Sequence, residues 1–408
     1  MQFTDTETQT LDIDAAQLCQ QYGSPLYVYQ GSIIRRKVQA LQEAFSGVTM
    51  KIKYACKANT NLAVLRLMRE LGVELDVVSP GEFEMGKYAG YAPEQMTFTP
   101  SGVPYEEVRT AVDEGATVNV DSISLLEWFG QTYGSSKPCL IRLKPNVTAG
   151  GHDKIMTAHP DSKFGISVTL LDDILAFVNK YSINVIGLHQ HTGSDIKEAE
   201  PFLKAARVLF EAAMHFPNLQ IIDLGGGFKV GYKPDDAVTD MQHLGAEITE
   251  GFRAFCARYG RELQLWFEPG KYLVSECGYL LTTATVVKED PARTFVHVDS
   301  GLNHLIRPMM YGSYHHILNT TNPDGPLKTY NVVGYICETD TFATDRELPE
   351  VRPGDVLAFL NAGAYGFTMS SNYNARYRPA EVLVDQGEAR LVRRRETLDD
   401  LLRTQIDL

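Results

Sequence analysis

Residues 51–79 read KIKYACKANTNLAVLRLMRELGVELDVVS, and this stretch decides the fold. The apolar, β-branched run Lys51–Ala55 predicts a buried strand, Leu62–Leu71 has apolar residues at helical spacing, and a second strand-like run follows at Leu75–Ser79. A strand, a helix and another strand in succession form a unit whose two strands lie parallel. The stretch therefore predicts an α/β fold built on a parallel sheet.

The same alternation continues along the chain, with helical patterns such as Leu203–Phe216 between the strand-like runs. The predicted strands are Lys51–Ala55, Leu75–Ser79, Met96–Pro100, Thr117–Asp121, Pro138–Leu143, Asn184–His191, Gln220–Leu224 and Leu263–Glu268. Eight strand–helix units over about 250 residues predict a closed (β/α)8 TIM barrel. An open doubly wound sheet is the structural alternative.

After about Cys277 the pattern changes to short strands separated by turn residues, which predicts a second, mainly antiparallel β-domain. Its predicted strands are Leu280–Val287, Thr294–Val298, Tyr330–Gly334, Val356–Leu360 and Glu381–Val384. We expect the barrel to span residues 30–277 and the β-domain residues 278–408. The N-terminal segment 1–29, with a strand at Gly23–Tyr29, is expected to join the β-domain.

Composition narrows the possible partners and compartments. The chain has 408 residues and a net charge of −13, which argues against binding nucleic acid or an anionic membrane. Its six cysteines form no CxxC pair, so neither a zinc site nor a disulfide framework is indicated. The acidic start Met1–Glu7 lacks an apolar signal core, and no apolar run is long enough to cross a membrane. We expect a cytoplasmic protein without membrane partners.

Reactive or permissive residues recur at the predicted strand ends, where a barrel of this kind has its active site. Lys57 follows strand 1, His191 ends strand 6, Gly225-Gly226-Gly227 follows strand 7 and Glu268 ends strand 8. A lysine amine can form an imine with an aldehyde, a glycine turn can hold a phosphate, and a carboxylate can hold the proton of a ring nitrogen. Together they predict pyridoxal 5'-phosphate (PLP) as the cofactor.

Each feature alone has a plainer explanation: a surface lysine, a tight turn, an ion-paired glutamate. Lys57 also needs a neutral amine to attack an aldehyde, and its apolar neighbours predict a burial that favours the neutral form. The pair His189 and His191 resembles half of a metal site, but no further histidine or carboxylate cluster completes a ligand set, so we predict no metal.

The chain resembles the fold-type III PLP decarboxylases along nearly its whole length, and among them the branch that acts on diaminopimelate. In the predicted barrel the matching stretches are Tyr54–Asn59, Asp76–Glu82, Ser162–Gly165, His191–Ser194, Gly225–Gly227 and Glu268–Gly270. In the β-domain they are Asp299–Asn303, Arg307–Tyr311, Ile336–Glu338, Ala362–Gly366 and Ser370–Asn374.

The resemblance implies a role for each matching residue. Lys57 would bind PLP covalently, His191 would stack on the ring, and Glu268 would pair with the pyridine nitrogen. Phosphate contacts would come from Ser194, Gly225, Gly226, Gly227, Gly270 and Tyr365.

On the substrate side, the resemblance implies that Arg307 and Tyr311 grip a carboxylate, Tyr365 contributes to the same binding, and Glu338 binds an ammonium group. Cys337 would donate the proton that replaces CO2. In this family Cys337 and Glu338 come from a partner subunit, so a homodimer with shared active sites is implied.

Three positions depart from the family pattern and bear on selectivity. Lys271 stands where arginine is common, Asp195 where glutamine is usual, and Thr339-Asp340 replaces a Ser-Gly-Asp segment. We take Lys271 as a weaker contact to cofactor and substrate, because an ammonium group cannot bind a carboxylate bidentately.

The expected reaction is decarboxylation of meso-2,6-diaminopimelate to L-lysine, the last step of lysine biosynthesis. The alternatives are a decarboxylase for ornithine, arginine, lysine or carboxynorspermidine, and a non-catalytic regulatory homologue. A non-catalytic homologue should lack Lys57 or Cys337, and this chain has both.

Overall fold

The computed structural model describes residues 13–146, 162–193, 196 and 199–406. Its described strands are β1 (Leu26–Gln30), β2 (Met50–Ala55), β3 (Glu74–Val77), β4 (Met96–Phe98), β5 (Thr117–Val120), β6 (Pro138–Lys144), β7 (Ile166–Ser167), β8 (Asn184–His189), β9 (Ile221–Asp223), β10 (Gln264–Phe267), β11 (Gly278–Glu289), β12 (Thr294–Val298), β13 (Ile317–Asn319), β14 (Leu327–Val333), β15 (Thr341–Pro349), β16 (Val356–Phe359), β17 (Ala380–Asp385) and β18 (Glu388–Arg393).

The described α-helices are α1 (Ala15–Tyr22), α2 (Gly31–Ala44), α3 (Leu62–Glu70), α4 (Pro80–Ala89), α5 (Tyr105–Glu114), α6 (Ile123–Tyr133), α7 (Leu171–Tyr181), α8 (Ala199–Ala213), α9 (Met241–Tyr259), α10 (Lys271–Val274), α11 (Arg307–Tyr311) and α12 (Leu398–Leu402). None of these helices combines the length and the apolar character needed to cross a bilayer.

The chain forms two compact units. The first comprises residues 35–230 and 238–273, and the second comprises residues up to 34, 231–237 and those from 274 onward. The domain boundaries at residues 30 and 277 stay a prediction.

The first unit is a closed barrel of parallel strands. Its sheet runs β5-β4-β3-β2-β10-β9-β8-β6, with the short β7 beside β6, and β5 also pairs with β6. That last pairing closes the sheet, which confirms the TIM barrel and rules out the open doubly wound alternative. All eight predicted barrel strands are present.

Local sequence explains how the chain passes from strand to helix in the barrel. After β3, Ser79 accepts a hydrogen bond from the Glu82 N–H at 3.2 Å, and the Glu82 carboxylate accepts one from the Val78 N–H at 2.9 Å. Pro80 supplies the first residue of α4, and Gly90 ends it at a φ of 99°. These caps satisfy N–H groups that a helix leaves free. Because Ser79 caps the helix, it is not part of the strand, and β3 ends at Val77, two residues before the predicted end.

The second unit contains a sheet that is mainly antiparallel. The order is β15-β14-β12-β11-β1-β17-β18, and β16 pairs with β11 and β13. β1 lies between β11 and β17 and pairs with both, antiparallel with β11 and parallel with β17. Its apolar core includes Leu26, Val28, Leu281, Ala358 and Val382.

Candidate active site

Lys57 stands at the carboxyl end of the barrel strands. β2 ends at Ala55, and Cys56–Ala58 form a short 3-10 turn whose first and third residues are buried. The turn leaves the Lys57 side chain 42% exposed, with its Nζ 3.2 Å from Oδ2 of the buried Asp76. The expected burial of this amine is therefore wrong. The carboxyl group of Asp76, rather than an apolar side chain, lies beside the amine.

Glu268, which follows β10, is held as a carboxylate. Its Oε2 lies 2.9 Å from Nε2 of the fully buried His189, and its Oε1 accepts from Asn119 Nδ2 at 3.4 Å. Burial alone would raise the pKa of Glu268, but the charge and hydrogen bond of His189, with help from Lys57, bring it to about 2. The group is thus available as a fixed negative charge at neutral pH.

The glycine triplet is required by close packing of the backbone. Gly225 and Gly227 have φ values of 68° and 111°, and a Cβ on Gly226 would lie 2.4 Å from the carbonyl oxygen of Glu268. The Gly225 N–H donates to Asp223 at 2.8 Å and the Gly226 N–H donates to His191 Nδ1 at 3.1 Å. Two of the three amides are thus engaged inside the unit, and the predicted phosphate role of the triplet stays a prediction.

His191 is uncharged at neutral pH. Desolvation of the imidazole, with the positive charges of Arg142 and Lys57 next in importance, lowers the pKa of His191 to about 3. The bond from Gly226 N–H occupies Nδ1 as an acceptor, which fixes the ring orientation. A neutral, oriented ring suits the predicted stacking on an aromatic cofactor.

Among the described residues, His189, Asp223 and Glu268 bring three ligand-type atoms within 4.8 Å of one another. Burial and then the negative charge of Glu268 raise the pKa of Asp223 well above its usual range. A carboxyl whose neutral form is favoured, beside a hydrogen-bonded His189–Glu268 pair, suits hydrogen bonding better than cation binding. The absence of a metal stays a prediction.

In the second unit, Arg307 lies in a cage of aromatic rings. Its side chain is 7% exposed, and the guanidinium carbon lies 5.5, 5.8 and 6.0 Å from the ring centres of Tyr232, Tyr311 and Tyr365. Nη2 donates to Ser313 Oγ at 3.4 Å, and the buried Nε has no acceptor within the described chain. The same part of the chain offers this cation no carboxylate, which suits an anionic ligand.

Cys337 and Glu338 form a second polar cluster in this unit. Cys337 is exposed, and its Sγ lies 3.6 Å from Glu338 Oε2 and accepts from Asn374 Nδ2 at 3.3 Å. The Tyr373 hydroxyl donates to Glu338 Oε1. This hydrogen bond lowers the pKa of Glu338 and raises that of Tyr373 to about 12.

The structure thus groups Lys57, His191, the glycines and Glu268 on one barrel, and Arg307, Tyr311 and Tyr365 around one another in the second unit. Lys271 begins α10 with 8% exposure, directly after Gly270. Ser194 and Asp195 lie outside the described residues.

The sequence analysis gave no role in the proposed site to several residues that the structure places in or beside these clusters. They are Asp76, Thr99, Asn119, His189, Tyr232, Tyr373 and Asn374. Asp76, Asn119 and His189 are polar residues near the ends of otherwise apolar runs, which is the position where barrel enzymes carry functional groups.

Residues 31–275 match the family model described as "Pyridoxal-dependent decarboxylase, pyridoxal binding domain". The chain belongs to this decarboxylase family. The match confirms PLP as the cofactor and the protein as a PLP-dependent decarboxylase.

The chain also matches relatives and solved structures over nearly the full length of both proteins. The chain is 42% identical over 402 residues to the diaminopimelate decarboxylase of Methanothermobacter thermautotrophicus, covering 96% of this chain and 94% of that protein. It is 35% identical over 415 residues to that of Bacillus subtilis, covering 97% and 94%.

A crystal structure of diaminopimelate decarboxylase from Helicobacter pylori complexed with L-lysine has a TM-score of 0.89 and 31% identity, and the match covers 96% of this chain and 98% of that one. These matches confirm the fold prediction and the resemblance seen in the sequence.

Proposed function

We propose that this PLP-dependent decarboxylase converts meso-2,6-diaminopimelate to L-lysine and CO2. One observation carries the choice of substrate: Arg307 is a nearly buried cation, caged by three tyrosines, and the described chain supplies it with no carboxylate. A buried unpaired guanidinium is costly unless a ligand completes its hydrogen bonds. Diaminopimelate has a distal carboxylate that lysine and ornithine lack.

The barrel residues fit PLP. Lys57 has a solvent-accessible amine for covalent attachment, and Glu268 is ionised and can keep a pyridine nitrogen protonated. When bound, PLP supplies an electron sink for the charge left on the substrate carbon. His191 would orient the ring by stacking. Ser194, the glycine triplet, Gly270, Lys271 and Tyr365 would hold the phosphate end.

The remaining roles concern substrate and proton. Arg307 and Tyr311 bind the distal carboxylate, with Lys271 and Tyr365 as supporting contacts, and Glu338 binds the ammonium group. The Cys337 thiol donates the proton to the carbon that loses CO2, which general acid catalysis requires. All six cysteines are free, as expected for a protein working in the reducing cytoplasm.

The test is CO2 release from a panel of amino acids by the PLP-loaded protein. We expect strong preference for meso-diaminopimelate over lysine, ornithine and arginine, by about 10²-fold or more, because a substrate without the carboxylate leaves Arg307 unpaired. Arg307→Ala should lose most of this preference and keep the PLP absorbance, whereas Arg346→Ala removes another arginine that lies over a tyrosine and should retain it. Equal specificity constants for ornithine and diaminopimelate would overturn the proposal in favour of a polyamine-pathway decarboxylase.

We also propose a homodimer in which Cys337 and Glu338 serve the partner's site. The exposure of the Cys337 cluster supports it, since its polar groups face solvent in a single chain. Inactive Lys57→Ala and Cys337→Ala proteins, mixed and allowed to exchange subunits, should recover about a quarter of wild-type activity, because half of the dimers carry one intact site. No recovery after confirmed exchange would contradict the shared site.

A further inference from the structure

A line of hydrogen bonds crosses the mouth of the barrel between Lys57 and Glu268. Lys57 Nζ lies 3.2 Å from Asp76 Oδ2, and Asp76 Oδ1 accepts from the Thr99 hydroxyl at 2.5 Å. The Asn119 amide then donates to Thr99 Oγ1 at 2.9 Å and to Glu268 Oε1 at 3.4 Å. The residues come from the carboxyl ends of β2, β3, β4, β5 and β10, which are neighbours in the barrel wall.

The direction of these hydrogen bonds is fixed by their chemistry. An amide NH2 has two hydrogens, and Asn119 directs one to Thr99 and the other to Glu268. The Thr99 oxygen is therefore an acceptor towards Asn119, and its single hydrogen points to Asp76. Turning the Asn119 amide around would set its oxygen against the Glu268 carboxylate. The bridge thus offers donors to a carboxylate at each end.

The residues that form this bridge are buried, so each of its hydrogen bonds matters for the charge of its partners. Asn119 is fully buried, Asp76 is 1% exposed and Thr99 is 6% exposed, so water cannot easily replace a lost donor. Burial and then the charge of Glu268 raise the pKa of Asp76, whereas Lys57 and the Thr99 hydroxyl lower it. Two carboxylates that would otherwise repel each other are held at one rim by the donors between them.

We propose that Thr99 and Asn119 are positioning residues that keep Asp76 available as the anionic partner of the Lys57 amine and fix it relative to Glu268. The inference rests on the proposed role of Lys57 and Glu268 in binding PLP. It adds two residues to that role: Thr99, which contacts neither the Lys57 amine nor Glu268, and Asn119, which contacts Glu268 but not the amine.

Other charged and titratable groups also face Asp76, and the test must hold them constant. They are Cys56 and Lys57 after β2, Glu82 in α4, Arg142 in β6, His189 at the end of β8, Asp223 at the end of β9 and Glu268 after β10. Removing an uncharged hydroxyl or amide leaves all of these groups in place, so it isolates the bridge.

The experiment measures how fast acetic anhydride acetylates Lys57 in cofactor-free protein as a function of pH, by peptide mass spectrometry. Only the uncharged amine reacts. The midpoint of the curve of acetylation rate against pH therefore reports how well Asp76 stabilises the ammonium form of Lys57. Thr99→Val and Asn119→Leu should shift the midpoint down by about one pH unit, because an Asp76 carboxyl that is no longer held 3.2 Å from the amine stabilises the charged form less. Thr99→Ser keeps the hydroxyl and should restore the wild-type midpoint.

Thr97→Val is the matched control. Thr97 lies in β4, is fully buried, and its hydroxyl has no partner within the described chain, so the same substitution removes no bridge. Its midpoint should equal that of the wild type. If Thr99→Val folds and its midpoint is unchanged, the proposal is overturned. If Thr99→Val does not fold, an unchanged midpoint in Asn119→Leu overturns it. If wild-type Lys57 does not take up PLP, the proposed function fails instead, and that is measured separately by absorbance.

Discussion

Lys53 and Lys57 come from the same strand region, and each pairs with a carboxylate from β3, yet they occupy opposite environments. Lys53 is 1% exposed, its Nζ lies 2.6 Å from Glu74 and 4.1 Å from the centre of the Trp266 ring. Lys57 follows the end of the strand, is 42% exposed and lies 3.2 Å from Asp76. Desolvation lowers the pKa of Lys53 even though Glu74 opposes this.

The difference shows that position along the strand decides what a lysine can do. Lys53 faces Glu74 in register and helps to fill the barrel interior beside the apolar group Leu140, Ile221 and Trp266. Lys57 is carried past the last strand residue by a short turn, where a ligand can reach its amine. We therefore assign Lys57 to chemistry and Lys53 to the packing of the barrel interior, with Glu74 as its counterion.

Lys57→Ala should give the largest effect. We expect CO2 release to fall by about 10³-fold or more, since the group that binds PLP covalently is removed. Unfolding stability should change little, because the side chain is partly exposed. Lys53→Met, assayed alongside, should keep most of its activity. Comparable activity losses in Lys57→Ala and Lys53→Met would contradict the assignment of Lys57 alone to chemistry.

Glu74→Gln tests the interior of the barrel. Glu74 pairs with Lys53 at 2.6 Å and Lys51 at 2.7 Å, so the substitution leaves a buried ammonium without its counterion. We expect a loss of about 3–5 kcal/mol in the free energy of unfolding, measured with urea. PLP uptake by the folded fraction should persist. A stability loss below that of a surface substitution would contradict the assignment.

Glu268→Gln tests how a carboxylate at the rim of the barrel contributes to stability at different pH values. The folded-state pKa of Glu268 is about 2, below its ordinary value of 4.5, so the ionised carboxylate stabilises the fold above pH 4.5 and this stability is lost as the pH falls towards 2. The shift corresponds to about 3 kcal/mol. Urea unfolding should therefore show the wild type more stable than Glu268→Gln by that order at pH 6 and equal to it near pH 2. A difference that does not depend on pH would refute the account.

Lys53→Met should have the smallest effect on stability. Glu74 keeps Lys51 as a partner, and the methionine fills a similar volume beside Trp266. The substitution therefore leaves no carboxylate buried without a counterion, which is the case that costs several kcal/mol, so we expect a change of about 1 kcal/mol or less. The measurement is the same urea titration, with Glu74→Gln as its matched partner.

The sequence predicted the architecture well because buried parallel strands are apolar on both faces and stand out between amphipathic helices. It missed the short strands β7 and β13, and also β15 and β18, whose residues are largely polar: Glu388–Arg393 has exposed positions along most of its length. Lys57, Glu268 and Cys337 were found by their chemistry and by resemblance. Thr99 and Asn119 were missed because a hydroxyl and an amide carry no charge pattern, and only the folded barrel brings them between two carboxylates.

The most direct test of the contrast between the two lysines is to reduce the PLP-loaded protein with borohydride, digest it and locate the pyridoxyl group by mass spectrometry. We predict that the label lies on Lys57, in the peptide that follows β2, and that Lys57→Ala carries none. A label on Lys53, or on any other lysine of the wild-type protein, would contradict the account.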